Sequence, residues 1–192
     1  MTIEVKGNWK KGLAYDVHTL SSTYLGPDEF GHDRWDSTRS EMGKLVYQLK
    51  YKNDKLVVGK IVDLITGKIK GIEKFDLIIP IPSTKKNRPY QPVEEIAREL
   101  GRRKRIKVLN LLGKEAGGAE LKNVDDQKER EKLLKGRIFI SDDFDISGKN
   151  VLLLDDLYRS GATLSTATDV LYKKAKVENV CVLTMTKTRS RR

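Results

Sequence analysis

The sequence has very few of the residues that build disulfides and metal centres. Of its 192 residues, one is cysteine, Cys181, and two are histidine, His18 and His32. A single cysteine excludes an internal disulfide and any zinc site built on several thiolates. Since the histidines also lack the close spacing of paired metal ligands, we expect all three residues to have structural rather than chemical roles.

Long apolar runs are absent as well. No stretch approaches the ~20 apolar residues that a membrane-spanning helix needs. The first residues, MTIEVKGNWKKG, lack the apolar stretch of a secretory signal. Charged residues make up 34% of the chain, which is typical of a globular protein with a strongly charged surface. We therefore expect a cytoplasmic protein without a membrane partner.

Positive charge is in clear excess. The chain has 38 Lys and Arg residues against 27 Asp and Glu residues, a formal net charge of +11. Such a balance attracts polyanions, among them nucleic acid and phosphorylated metabolites. A basic surface that only keeps the protein in solution has the same composition. A nucleic-acid partner is therefore an open alternative.

The first third of the chain predicts a strand or hairpin followed by two helices. Residues 9–30 alternate loosely between apolar and polar positions, as in a strand. A helix is expected to begin near Asp36, because Thr38 and Glu41 have the spacing of a capping box. A second helix is predicted over residues 54–66, with apolar side chains on one face.

From residue 75 onward, short apolar strands alternate with amphipathic helices. This alternation is typical of an α/β fold with a doubly wound, mainly parallel sheet. One helix is expected to begin at Pro92 and to end at Gly101, where glycine favours a stop. The predicted strands are 77–81, 107–112, 137–140, 151–154 and 180–185, and the predicted last helix is 162–175.

The segment VLLLDDLYRSGATL at 151–164 carries the clearest chemical pattern. Asp155 and Asp156 follow a buried strand, at the carboxyl edge where open α/β sheets bind ligands. Gly161 allows a close approach of the backbone to a ligand, and the hydroxyls of Ser160 and Thr163 flank a helix start, so together they predict an anion cradle. Carboxylates suit sugar hydroxyls, or Mg²⁺ held through water. The expected ligand is a ribose 5-phosphate.

A second strand end lies at Ile81 and leads into the polar sequence PSTKKNR. Its backbone amides and positive charges favour a pyrophosphate loop at the same edge of the sheet. The alternative is a basic surface turn that merely follows a strand. The candidate residues of this loop are Ser83, Thr84, Lys85 and Arg88.

These motifs resemble those of a known family. VLLLDDLYRSGAT at 151–163 looks like the PRPP-binding motif of type I phosphoribosyltransferases. The segments DLIIPIPSTKKNRPYQPVEEIA at 76–97 and LVYQLKY at 45–51 are similar to segments of the ComF-like (competence protein F) phosphoribosyltransferases. Many ComF-like proteins begin with a cysteine-rich zinc module, which this chain lacks.

The resemblance implies the type I phosphoribosyltransferase fold, a doubly wound, mainly parallel α/β sheet with a small N-terminal hood. On this basis we expect one domain over residues 1–192. Residues 1–70 would form the hood and its helices, and residues 71–192 the PRPP-binding core.

The resemblance also implies an activity. A phosphoribosyltransferase transfers the ribose 5-phosphate of PRPP to a nitrogenous acceptor and releases pyrophosphate. Asp155 and Asp156 would be the catalytic residues that hold the ribose hydroxyls and, indirectly, Mg²⁺. The alternative is a non-catalytic protein of the same fold that senses PRPP or associates with nucleic acid, and a homodimer is a further open alternative. The residues implied for the 5-phosphate loop are Arg159, Ser160, Gly161, Ala162 and Thr163.

Overall fold

The computed structural model describes residues 2–83, 89–115, 137–141 and 144–189. Within these ranges, every helix is too short or too polar to cross a bilayer. The elements are β1 (Ile3–Glu4), β2 (Lys11–Val17), β3 (Thr19–Pro27), β4 (Asp33–Arg39), α1 (Glu41–Tyr51), α2 (Val57–Lys68), β5 (Leu77–Pro80), α3 (Pro92–Lys104), β6 (Lys107–Val108), β7 (Leu112–Lys114), β8 (Ile138–Ile140), β9 (Asn150–Tyr158), α4 (Ala162–Lys173) and β10 (Asn179–Lys187).

The main sheet has six strands in the order β1-β2-β10-β9-β5-β6. β1 runs antiparallel to β2, and the other neighbouring pairs are parallel. Ile79 of β5 lies opposite Leu153 of β9, so the carboxyl ends of these two strands meet at one edge. The predicted mainly parallel sheet is therefore confirmed. β1 and β2 come from the first seventy residues, and the other four strands from the remainder of the chain.

Helices cover both faces of this sheet, as a doubly wound fold requires. Leu152 and Leu154 of β9 pack in one core with α1, α2 and α3, whereas Val151 and Leu153 pack in a second core with α4. Successive side chains of a strand point to opposite faces. The continuous apolar run of β9 thus reflects burial on both sides, and the same alternation directs Asp156 toward the α1 side.

Helix α1 begins later than the sequence predicts. Asp36 and Thr38 lie in β4, which forms a hairpin with β3 through Arg39. The helix starts at Glu41, and the hydroxyl of the buried Ser40 accepts a hydrogen bond from the Gly43 N–H at 3.0 Å. The proposed capping box at Thr38 is therefore wrong, because strand pairing holds that residue extended and leaves Ser40 as the cap.

We expect Ser40→Ala to lower the free energy of unfolding by about 1–2 kcal/mol. The substitution removes the N-cap of α1 and the hydrogen bond that the Ser40 hydroxyl donates to the Val17 carbonyl. Urea denaturation measures the effect. Ser21→Ala, at an exposed serine of β3, is the control and should change stability by less than about 0.5 kcal/mol. Equal stabilities for the two variants would contradict the capping role.

Gly101 does not end α3, as the sequence predicts, but lies inside it. The helix continues to Lys104 and ends at Arg105, which has φ 57°. A Cβ atom at position 101 would lie 2.7 Å from the Ile106 carbonyl oxygen. The glycine therefore serves the close approach of the chain that turns back into β6, and the stop comes one turn later.

Two small antiparallel pairs lie outside the main sheet. β3 pairs with β4, and β7 pairs with β8. The strand predicted at 107–112 is thus divided, since its start joins the main sheet as β6 and its last residue begins β7. Residues 19–39, which contain β3 and β4, include no buried residue, so this hairpin adds nothing to the two cores.

Candidate functional site

A cleft of about 210 Å³ opens where β5 ends, beside the acidic pair of β9. It brings together two segments that are far apart in the sequence, the end of β5 and the acidic pair of β9. The first turn of α4 forms another part of its wall. The polar residues that line the cleft are Lys50, Ser83, Gln91, Lys114, Asp155, Asp156 and Thr163.

The two acids lie inside β9, although the sequence predicts a strand that ends at Leu154. Pairing of β9 with β5 stops at Leu154, opposite Pro80, whereas pairing with β10 continues to Tyr158. β5 is therefore the shorter neighbour, and its end leaves one side of Asp155 and Asp156 open. This step between strand lengths creates the cleft.

Asp156 is held by a lysine from a distant helix. The Lys50 ammonium of α1 lies 2.5 Å from Asp156 Oδ2, with 24% and 12% of the two side chains exposed. Burial lowers the pKa of Lys50, but the charge of Asp156 and a hydrogen bond to it outweigh burial, so the pKa is raised. The lysine therefore stays charged and occupies an oxygen that a ligand or cation would otherwise reach.

Among the described residues, no side chain forms an ion pair with Asp155 like that of Lys50 with Asp156. Burial against the strand raises its pKa to about 7, and the negative charge of Asp156 acts in the same direction. The Asp156 N–H donates a hydrogen bond to Asp155 Oδ1 at 2.8 Å, and Lys50 and Lys114 oppose the rise only in part. Burial and the neighbouring carboxylate therefore disfavour the charged form of Asp155.

His18 lies behind this pair rather than in the cleft. Its Nδ1 is 3.1 Å from the Thr186 hydroxyl, which donates to the backbone carbonyl of Asp156. Burial lowers the pKa of His18, and the nearby Arg39 charge adds to that effect. These contacts give His18 a supporting position beneath β9, in line with the structural role expected from the sequence.

The predicted 5-phosphate loop forms the N-terminus of α4. Gly161 is the N-cap with φ 82°, a left-handed conformation that glycine adopts readily. Gly161 has no side chain to cap this helix, and the Ser160 hydroxyl accepts a hydrogen bond from the Ala162 N–H at 3.4 Å. The first N–H groups of a helix have no intrahelical acceptor, so this end can receive an anion. Thr163 faces the cleft.

We expect Gly161→Val to abolish or strongly weaken anion binding at this loop. The new Cβ would lie 2.9 Å from the Tyr158 ring, and valine at φ 82° adds strain of roughly 1–2 kcal/mol. Gly26→Val is a matched control, because Gly26 has the same φ but nothing within 4 Å of its Cβ position. Calorimetric titration with PRPP and Mg²⁺, together with thermal melts, compares the two variants.

Both variants should lose stability, and only Gly161→Val should lose PRPP binding. Similar titrations for the two variants would show that backbone strain, rather than the place of Gly161 beside the cleft, decides the effect.

The structure brings together part of the predicted pyrophosphate loop and the acidic pair. Ser83 lines the same cleft as Asp155 and Asp156, as expected for strand ends at one edge. Arg159 is exposed, Ser160 is half-buried and Ala162 is buried, and none of these three residues lines the cleft. The other candidates for the pyrophosphate loop, Thr84, Lys85 and Arg88, lie outside the described residues.

Three polar residues that line the cleft were not predicted as site residues: Lys50, Gln91 and Lys114. Lys50 belongs to the segment LVYQLKY. The resemblance of this segment to the family implies a helix but no role for the lysine. Lys114 lies in β7. The surrounding sequence contains many charged residues, so the sequence does not single out Lys114 as a site residue. Gln91 is the N-cap of α3, next to the correctly predicted Pro92.

The acidic pair fits Mg²⁺ only as an indirect partner. Within the described residues, no cluster of three or more His, Cys, Asp or Glu side chains could hold a metal ion. Mg²⁺ is commonly held by one or two carboxylates together with waters and substrate phosphates. Asp155 and Asp156 supply such oxygens, and burial beside the Asp156 carboxylate raises the pKa of Asp155.

Comparison with curated proteins found a partial relative. The chain is 28% identical over 116 residues to competence protein ComFC of Bacillus subtilis (strain 168). The match covers 59% of this chain and 45% of that protein. The chain thus spans less than half the length of this relative.

Comparisons with solved structures and with family models give weaker information about this chain. Adenine phosphoribosyltransferase from Thermoanaerobacter pseudethanolicus aligns over 86% of this chain and 94% of that one, with 12% identity and a TM-score of 0.38. Similarity at this level supports no assignment. No family model matches the chain.

Proposed function

We propose that the protein binds PRPP in this cleft and transfers its ribose 5-phosphate to a nitrogenous acceptor, with release of pyrophosphate. The observation that carries the proposal is one cleft lined by the acidic pair of β9, Ser83 and the first turn of α4. The ordered motif at 151–163 and the partial similarity to ComFC support it.

The 5-phosphate of PRPP binds at the start of α4. Backbone N–H groups around Gly161 and the hydroxyls of Ser160 and Thr163 are its donors. Hydrogen bonds to a charged group contribute about 1.5–3 kcal/mol each, and the helix terminus adds roughly 0.3–1 kcal/mol. Four such contacts suffice for micromolar affinity after the cost of immobilising the ligand.

The ribose and the pyrophosphate occupy the rest of the cleft. The carboxylates of Asp155 and Asp156 accept hydrogen bonds from the ribose hydroxyls. Ser83 and the following loop hold the pyrophosphate, and Lys114 adds positive charge to the wall. When bound through Asp155 and Asp156, Mg²⁺ would supply charge neutralisation for the leaving pyrophosphate.

The reaction exchanges one bond at the anomeric carbon. The bond from this carbon to the pyrophosphate oxygen breaks, and a bond to the acceptor nitrogen forms on the opposite face, with loss of a proton from that nitrogen. Positive charge develops on the sugar in the transition state, and the nearby carboxylates stabilise it. The protein contributes mostly positioning and charge, which are large terms in such reactions.

Calorimetric titration with PRPP and Mg²⁺, followed by a pyrophosphate-release assay with a panel of nitrogenous bases, tests the proposal. Micromolar binding with release dependent on one base is the expected result. Binding without turnover of any base would favour the alternative of a PRPP sensor. If PRPP fails to bind at millimolar concentration, the site assignment is wrong.

The net charge of +11 favours nucleic-acid binding as a second candidate function. Binding of this kind rests on phosphate contacts and falls steeply with salt. Titration of a generic DNA or RNA fragment at several salt concentrations is the measurement. Absence of a mobility shift at low ionic strength with micromolar protein would exclude this candidate.

A further inference from the structure

Lys50 occupies the position that a ligand needs. Its ammonium contacts Asp156 Oδ2 at 2.5 Å, inside the cleft that also contains Asp155 and Ser83. Ribose hydroxyls and a hydrated divalent cation would both approach the oxygens of this acidic pair. Binding therefore requires that Lys50 shares Asp156 or leaves it.

We propose that Lys50 is an exchangeable counter-ion that couples cation binding to anion binding in this cleft. In the free protein it neutralises Asp156. When a divalent cation takes the carboxylates, Lys50 turns to the phosphate groups of the ligand. The ligand class that satisfies both partners is a divalent cation together with a phosphate-rich anion, and its identification as PRPP rests on the proposed function.

The charges around Lys50 make each half of the exchange unfavourable by itself. The carboxylates that act on Lys50 are those of Asp156 and Asp155, the same two groups that would receive the cation. A cation that binds alone leaves the partly buried ammonium without its partner, and such uncompensated charges are costly. An anion that draws Lys50 away by itself leaves the buried Asp156 unpaired. Both costs disappear when cation and anion bind together.

The side chain is suited to such an exchange. Lysine carries a compact charge on a flexible four-carbon stem with three donors, so it can reorient without movement of α1. Ser83, at the start of the predicted pyrophosphate loop, lines the same cleft as Lys50. The lysine can therefore move from the acids toward the ligand's phosphates within this cleft.

Titration with Mn²⁺ alone, followed by electron paramagnetic resonance of the free ion, tests the counter-ion role without any PRPP. Lys50→Met should bind Mn²⁺ more tightly than the wild type, by about tenfold, a typical size for coupling between sites. Lys50→Arg keeps the charge and should resemble the wild type. Lys68→Met is the control, because the Lys68 ammonium lies over the Tyr15 ring at 4.1 Å and does not line the cleft.

The second measurement is PRPP binding with Mg²⁺ present, where the effect should have the opposite sign. Lys50→Met should bind PRPP about tenfold more weakly, and Lys50→Arg should recover much of the loss. A purely structural lysine would not strengthen one ligand while weakening the other. Thermal melts accompany both titrations, and Lys50→Gln repeats them if Lys50→Met is unfolded at the assay temperature.

The proposal is overturned if removal of the Lys50 charge leaves Mn²⁺ binding unchanged or weaker, or if no form of the protein binds Mn²⁺ at millimolar concentration. These outcomes are distinct from failure of the proposed function. If the wild type does not bind PRPP but Lys50→Met binds Mn²⁺ more tightly, the counter-ion role of Lys50 is supported. Only the identification of the ligand as PRPP is then wrong.

Discussion

Asp156→Asn is expected to weaken PRPP binding by about ten- to hundredfold, which corresponds to the loss of about 1.5–3 kcal/mol for a hydrogen bond to a charged group. The amide keeps one acceptor oxygen and loses the negative charge that attracts a cation and supports the ribose. It also leaves Lys50 without its ion pair at 2.5 Å. Calorimetric titration with PRPP and Mg²⁺ measures the effect.

Two further proteins separate this loss from a general loss of stability. Asp156→Asn combined with Lys50→Met removes both charges, and should regain much of the melting temperature without regaining PRPP affinity. Asp169→Asn, at an exposed acid of α4, should titrate like the wild type. An Asp156→Asn protein that binds PRPP as tightly as the wild type would remove Asp156 from the proposed site.

The sheet could be predicted because the sequence pattern of each strand lies within a few consecutive residues. The strand segments around Ile79 and Leu153 are short runs of apolar residues, since helices cover both sides of the sheet there. Such runs are typical of parallel strands, and the alternation with helices then predicts their common edge. These two strands were expected to be neighbours, and Ile79 does lie opposite Leu153.

Element ends were harder to predict, because they depend on distant partners. Thr38 has good capping spacing, but pairing with β3 places it in a strand. Gly101 is a credible stop in the sequence, yet its role is set by the Ile106 carbonyl that passes close to it. In both cases a tertiary contact overrides a local preference.

The candidate site was predictable only where its residues are contiguous. Asp155, Asp156 and Gly161 belong to one motif, so the sequence predicts their proximity directly. Lys50 reaches the same cleft from α1, and Lys114 reaches it from β7, and neither has a local pattern that points to the acids. The charge balance of the cleft, which decides what it can bind, therefore emerges only from the fold.

Asp155→Asn is expected to stabilise the protein at neutral and alkaline pH. In the folded state the pKa of Asp155 is raised from its ordinary 3.8 to about 7. Below pH 4 the group is protonated in the folded and unfolded chains alike and costs nothing. Between pH 4 and 7 the unfolded chain releases the proton and the folded chain keeps it, so stability falls as pH rises. Above pH 7 the full penalty, on the order of 4 kcal/mol, is present.

Asparagine is neutral at every pH in this range, and its carbonyl can still accept the Asp156 N–H that Asp155 Oδ1 accepts now. The difference in unfolding free energy between Asp155→Asn and the wild type should therefore be smallest at pH 4, grow through pH 7 and level off above it. Urea denaturation in chelator-containing buffer at pH 4, 5.5, 7 and 8.5 measures it. Glu178→Gln, at an exposed acid, should show no such trend. A difference that stays flat with pH, or that shrinks as pH rises, would mean that burial and the Asp156 charge do not raise the pKa of Asp155 in the free protein, and the electrostatic argument for a cation at the acidic pair would fail.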